Sequence, residues 1–357
     1  MTDGLLKSDI QEIVDSLPLE YWLQFSGKRL LMTGGRGFLG RYFTETFVRA
    51  NELLKSENRH PCELVVLDNL ITAGKMGSDS RPQENVSFVQ HDVTEPFTPE
   101  RPVDFILHAA GIASPYYYRK FPVETYRVAT TGTRNVLDIA RKNPGCKLAF
   151  FSSSEIYGDP DSKHVPTNEA YKGYVACLGP RACYDESKRF GEMMVRVEHE
   201  QHGVHGTIIR PFNVYGPGMQ KTDYRVLPNF GAKWVAGEPF HVYGTGLQTR
   251  TFCYVTDAIR GFLQVLTNGV AGEPYNVGNP NPEISMRDLA IECGRVLNHD
   301  VKFDTVEHPD TYPADEPQRR CPDITKVREQ CGYEPKVSLQ DGLKRFFGWA
   351  DRVYREG

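Results

Sequence analysis

The stretch that most constrains this chain is KRLLMTGGRGFLGRYFTETFVRA, residues 28–50. It reads as a short buried strand, a glycine turn and then a helix. Gly34, Gly37 and Gly40 stand at G-x-x-G-x-x-G spacing, with Gly35 in the same turn. Residues without a Cβ let backbone approach a diphosphate closely. The first helical residues, Phe38 and Leu39, then turn their N–H groups toward that anion at the positive end of the helix. Glycines punctuate many turns, so the strand before and the helix after carry the reading.

The next apolar run, ELVVLDNL, ends in Asp68 and Asn69. A carboxylate there accepts from a ribose 2′-hydroxyl and repels a 2′-phosphate, so the expected cofactor is NAD rather than NADP. The interval from Gly40 is long, and the polar insert around ENRHPC accounts for it. Two further units follow. VSFVQHDVTEP ends with Asp92 and Val93, with Asp92 a candidate for the adenine edge. VDFILHAAGIASP ends at His108-Ala109-Ala110-Gly111, small residues against which a cofactor lies close to backbone. Strands that alternate with helices predict a Rossmann-type, doubly wound parallel sheet with ligands at the strand carboxyl ends.

The fifth such run, KLAFFSSSEIYG, brings Ser153, Ser154 and Glu155 to one of those ends. About thirty residues on, ACYDESKRFGE sets Tyr184 and Lys188 at i and i+4, on one helix face. A phenol titrates near ~10, so a neutral-pH base needs a shift of roughly 3 units, about 4 kcal/mol, for which a close cation in a dry cleft is the expected source. Tyr-x-x-x-Lys alone describes many helix surfaces; the strand end before it gives it weight.

The remaining chain mixes short strands and helices. The expected organisation is an N-terminal helical extension over 1–27 and a dinucleotide-binding domain over 28–205 with a return segment near 239–266. A smaller, interwoven substrate domain is expected over 206–238 and 267–357. DTYPADEPQRRCPD reads as a linker, although Arg319 and Arg320 are also suited to clamping a diphosphate. A net charge of −4 gives no general attraction to nucleic acid or anionic membrane. No apolar run approaches the ~18 residues of a membrane span, and the first residues lack the basic-then-apolar order of a signal peptide. The expected location is the cytoplasm. Eight cysteines without C-x-x-C spacing argue for reduced thiols and no metal site. His199, His202 and His205 fall at three-residue steps, but Gly203 is expected to end the helix between them.

TGGRGFLG, LDNL, SSSEIYGDP, YDESK and RPFNVYGP, in this order, resemble the extended short-chain dehydrogenase/reductases that act on nucleotide sugars. HDVTEP, GPRACYDESKR, GLQTRTF and RCPDI narrow the resemblance to the UDP-glucuronic acid decarboxylases. It implies Tyr184 as base with Lys188 as its partner, and Ser153 as a hydroxyl to the sugar C4 oxygen. Glu155 would stand near C5 and Arg250 near the reacting carboxyl group. Ser154, Asn213, Arg225, Tyr243, Gln248 and Arg320 fall on the substrate side. The implied reaction is oxidation of UDP-glucuronate at C4, loss of CO2, protonation at C5 and hydride return to give UDP-xylose, in a homodimer. Ser154 stands where related 4,6-dehydratases carry an acid, and a hydroxyl cannot protonate a leaving group as they require. A 4-epimerase, a 4,6-dehydratase, a decarboxylase that releases the 4-keto product, and a non-catalytic NAD or nucleotide-sugar binder remain the alternatives. Four positions depart from the family: Arg36 for a small residue, Gly74 for a base, Ala129 for Asn and Gly218 for Arg. Arg36 is expected to replace the charge missing at Gly74.

Overall fold

A computed structural model describes residues 5–74, 82–307 and 317–356. Its centre is a parallel sheet of seven strands: β1 (Arg29–Thr33), β2 (Glu63–Asp68), β3 (Val86–Gln90), β4 (Phe105–His108), β5 (Lys147–Phe151), β6 (His205–Pro211) and the edge strand Pro274–Val277. From that edge strand the order runs β6-β5-β4-β1-β2-β3. The chain therefore reverses direction across the sheet between β1 and β4, and the crevice at their carboxyl ends is where such sheets bind ligands. Buried on both faces, β1 and β4 are almost continuously apolar, as a parallel sheet under helices on each side demands.

Helices α1 (Lys7–Asp15), α2 (Leu19–Leu23) and α3 (Phe38–Ser56) build one side of the core. Trp22, Phe25 and Phe47 meet there edge to face, and each such buried ring contributes roughly 2–3 kcal/mol. The Trp22 indole N–H is satisfied by the Val14 carbonyl at 3.1 Å. The expected leading helix is thus present as α1, and it packs on α3.

Residues from both sides of the expected 205/206 boundary enter the sheet. The β6 run GTIIRP is apolar enough to be covered on both faces and joins β5, and Pro274–Val277 pairs with β6. The strand Phe240–Tyr243, within the expected return segment, pairs instead with Phe303–Val306. A third small sheet joins Ile284–Ser285, Thr249–Arg250 and Arg319–Arg320, and its register sets Arg250 directly opposite Arg320. Residues 308–316, which include half of the Pro-rich segment read as a linker, lie outside the described residues.

Candidate active site

The end of β1 and the end of β4 are stitched together. Ala109 N–H donates to the Thr33 carbonyl at 3.2 Å, and Ala110 N–H to Thr33 Oγ1 at 3.2 Å. Gly34 turns here with φ of +73°, and a Cβ on it would lie 2.6 Å from the Ala110 backbone. At Gly40 a Cβ would meet the Gly34 carbonyl oxygen at 2.3 Å, so only glycine lets α3 start this close to the turn. Asp68 closes the far side. Its two carboxylate oxygens accept from Arg36 N–H and Leu70 N–H, each at 2.8 Å, which aims the group across the end of β2. Asn69 Nδ2 donates to Asp92 at 3.0 Å, joining the ends of β2 and β3.

These groups line one cleft of about 330 Å³. Among the residues singled out in the sequence, Gly34, Gly37, Phe38, Leu39, Gly40, Asp68, Asn69, Asp92, Val93, Ala109 and Ala110 all border it. So do Ser153, Ser154, Glu155, Tyr184, Lys188, Asn213 and Arg225. An adjoining cavity of about 150 Å³ shares Glu155, Tyr184, Asn213 and Arg225 and adds Tyr243, Gln248, Arg250 and Arg320. Of the other sequence candidates, Arg36 and Arg319 border neither space.

Ser153 starts a short turn at the end of β5, where its Oγ accepts from Glu155 N–H at 3.2 Å. It also hydrogen-bonds the Tyr184 phenol. Tyr184 lies in the first turn of the helix Ala182–His202 and stacks on Tyr118 at 5.4 Å. The expected acid phenol is not what this environment makes. Burial raises Tyr184 to about 12, against the opposing pull of the Ser153 bond. Burial likewise lowers Lys188 to about 8. The Lys188 Nζ donates to the Phe151 carbonyl at 2.6 Å and stands 5.8 Å from the centre of the Tyr184 ring. Desolvation is the largest cause at both groups.

Glu155 is the electrostatic hub. Burial pushes its carboxyl upward, but Arg181 first, then Arg320 and Arg250, override burial and hold it well below the usual carboxylate range. Arg320 engages both carboxylate oxygens, with Nη2 to Oε2 at 2.8 Å, and Arg181 bonds Oε2 as well. Behind Arg181, burial and then the Glu155 charge push the buried Asp185 carboxyl upward. Arg181 and Asp185 lie within GPRACYDESKR, yet the sequence assigned them no role. Arg181 sits three residues before Tyr184, one turn away on the same face, and that spacing was the available signal.

Arg225 is fixed by Asp223, with Nε to Oδ2 at 2.9 Å, and Asn213 Nδ2 by the Thr251 carbonyl at 2.9 Å. Arg319, the other candidate clamp, faces away and pairs with Glu283 at 2.7 Å. Arg36 does not border the cleft: its guanidinium lies 4.4 Å over the Phe88 ring, where cation–π attraction and Asp68 hold it. Ala129 is buried away from the lining. The helix Ala182–His202 ends on Gly203 in the left-handed region, and His199 Nδ1 lies 3.1 Å from the Val204 carbonyl oxygen.

A glycine cradle facing a ribose-directed carboxylate, beside a Tyr and Lys on one helix, defines a dinucleotide-dependent enzyme of the short-chain class. A sequence model of the NAD dependent epimerase/dehydratase family matches residues 30–278, and the chain belongs to that family. It is 40% identical to UDP-glucuronic acid decarboxylase 6 of Arabidopsis thaliana over 319 residues, 89% of this chain and 87% of that one. Identity to UDP-glucuronic acid decarboxylase 1 of Danio rerio is 36% over 357 residues, 98% of this chain and 80% of that one. Among solved structures, the dTDP-glucose 4,6-dehydratase DesIV of Streptomyces venezuelae, with NAD and TYD bound, matches with a TM-score of 0.74. It is 27% identical, covering 92% of this chain and 97% of that chain. NAD is the cofactor, and the cradle fits it: Gly34 and Gly40 leave room for the diphosphate, and Asp68 stands where a ribose hydroxyl needs an acceptor.

Proposed function

We propose that the protein converts UDP-glucuronate to UDP-xylose, using NAD that is reduced and reoxidised within each turnover. The observation that carries this reading is the gathering of Arg181, Arg250 and Arg320 around the single ionised carboxylate of Glu155 at the wall of the smaller cavity. Guanidinium groups at that wall offer charge-assisted bonds that a sugar bearing its own carboxylate uses. A neutral hexose does not.

The residues take these roles. Gly34, Gly37 and Gly40, with the N–H groups of Phe38 and Leu39, hold the cofactor diphosphate, and Asp68 and Asn69 the adenosine ribose. When bound, NAD supplies a hydride acceptor at C4 and later returns the hydride there. Tyr184 must first ionise from its buried resting state, aided by the Lys188 ammonium when charged; its Oη then takes the C4 hydroxyl proton, with Ser153 Oγ bonded to the same oxygen. Oxidation makes the C5 carboxylate β to a ketone, so CO2 leaves with its bonding electrons delocalised to O4 as an enolate. Tyr184 and Ser153 stabilise that oxyanion. Arg250 orients the carboxylate before it leaves, and Glu155, being ionised, fixes the arginines and orients the solvent water that gives its proton to C5. Ser154, Asn213, Arg225, Tyr243, Gln248 and Arg320 bind the nucleotide sugar, with Asn213, Arg225 and Arg320 coming from the substrate part, 206–238 and 267–357. Incubation with UDP-glucuronate and NAD should release CO2 and give UDP-xylose by mass and NMR, with no lasting rise at the NADH band. A stoichiometric rise would mean release of the 4-keto product, and unchanged substrate would overturn the reading. Glu155→Gln should lower turnover by about a hundredfold, the scale on which one positioned charge acts.

We further read the protein as a cytoplasmic homodimer. Most of its cysteines are thiols buried in the core, and no helix among the described residues is long and apolar enough to cross a membrane. On the helix Ala182–His202, Phe190, Met193 and Val197 are 50%, 45% and 43% exposed, at helical spacing along one stripe. Val123 and Tyr126 extend the apolar surface on the neighbouring helix Pro122–Arg127. Two such faces packed together make a four-helix interface. Phe190→Asp with Val197→Asp should give a monomer by light scattering, while an unaltered dimer mass would exclude this face.

A further inference from the structure

We propose that Arg41 is the cation that binds the cofactor diphosphate, standing in the space beside Gly218. This rests on the NAD assignment and is independent of which sugar is turned over. Arg41 follows Gly40 in the first turn of α3, and its N–H bonds the Gly37 carbonyl at 3.1 Å. A helical Cα–Cβ bond tilts toward the helix N-terminus, so this side chain runs back toward the end that receives the anion. Arg41 is only 4% exposed, yet it borders the larger cleft together with Gly34, Gly37 and Gly40. It does not border the smaller cavity, which points to the dinucleotide and away from the sugar.

Gly218 explains how the guanidinium is seated. The Arg41 Nη2 donates to the Gly218 carbonyl oxygen at 2.6 Å. Gly218 has φ of +98°, and a Cβ there would fall 2.6 Å from Leu5 Cδ2, 3.1 Å from Arg41 Nη2 and 3.5 Å from Phe38 Cδ2. The volume that a side chain at 218 would fill is therefore taken by Leu5, brought in by the N-terminal segment, and by the Arg41 head. The exchange keeps a positive group at the cleft while moving its origin from the loop after Val214–Tyr215 to the glycine-turn helix. A planar guanidinium carries five N–H donors in a fork whose geometry matches a bidentate bond to phosphate.

The test uses the full-length protein freed of bound nucleotide, titrated with NAD, ADP and adenosine. Arg41→Gln should weaken NAD and ADP by about tenfold or more, as loss of a charge-assisted phosphate contact does. Adenosine, which has no phosphate, should bind as it does to the wild type. Arg41→Lys should recover part of the ADP affinity, and if Arg41→Gln does not fold, the ADP-to-adenosine ratio of the lysine variant decides. A ratio equal to that of the wild type, or adenosine weakened in step with NAD, overturns the proposal.

Discussion

At the scale of single residues, the site keeps Lys188 in a state that costs stability. A lysine ordinarily titrates at 10.5, and Lys188 does so at about 8 because the buried ammonium has lost its water. Between those values the unfolded chain holds a proton that the folded one has released, so stability falls as pH drops from 10.5 through 8. At neutral pH the whole penalty is present, roughly 3 kcal/mol. Lys188→Met should therefore unfold at higher denaturant concentration than the wild type at pH 7, lose that advantage as pH rises past 8, and have no measurable turnover. The glycine turn, Asp68 and the Tyr184–Lys188 pair were legible in the sequence because each is a local spacing that dictates a local shape. The arginine cluster was legible only in part. Arg320 reaches Glu155 from 165 residues away, through a two-residue strand with no periodic signature, and Arg181 from 26 residues away. Nor did spacing disclose that burial would push both the ammonium and the phenol toward their neutral forms, since desolvation depends on what the rest of the chain stacks above them.

Among the elements, α1 shows how a helix read from its periodicity acquires a specific seat. Its Asp9 is wholly buried and accepts from the Tyr254 hydroxyl at 2.8 Å and the Tyr42 hydroxyl at 3.1 Å, while Arg345 bonds Glu12 at 2.6 Å. The apolar face predicted the helix; the carboxylate among tyrosines, contributed by α3 and by the strand Cys253–Tyr254, could not be inferred before those elements met. Burial raises the Asp9 carboxyl from 3.8 to about 6, opposed by the two tyrosine hydroxyls. The folded chain thus keeps a proton that the unfolded chain releases, and this contribution is complete below 3.8 and lost as pH rises through 6. Asp9→Ala strands two buried hydroxyls and should cost about 3 kcal/mol in denaturant unfolding. Asp9→Asn keeps an acceptor and should flatten the stability profile between pH 4 and 6.

Over the whole molecule, the two ligand spaces share walls. Tyr184, Glu155, Asn213 and Arg225 border both, so a dinucleotide in the larger cleft completes one side of the smaller cavity. At about a hundred times its Kd, NAD should add about 2.7 kcal/mol to unfolding, seen as a rise in melting temperature. NADP at the same concentration should give little of it, because its 2′-phosphate meets the Asp68 carboxylate, and Asp68→Asn should narrow the difference. The parallel sheet and its switch point were legible from the alternation of strands and helices. The exchange of strands between the two halves was not, because β6 and Pro274–Val277 read as ordinary apolar runs that any sheet could recruit.

The Glu155–Arg320 contact also sets an order of events during biosynthesis. A ribosome has delivered the glycine cradle and the phenol long before it delivers Arg320, so a nascent chain can lodge its nucleotide while the sugar compartment still lacks one of its cations. A chain that stops before residue 320 lacks one of the cations that Glu155 pairs with.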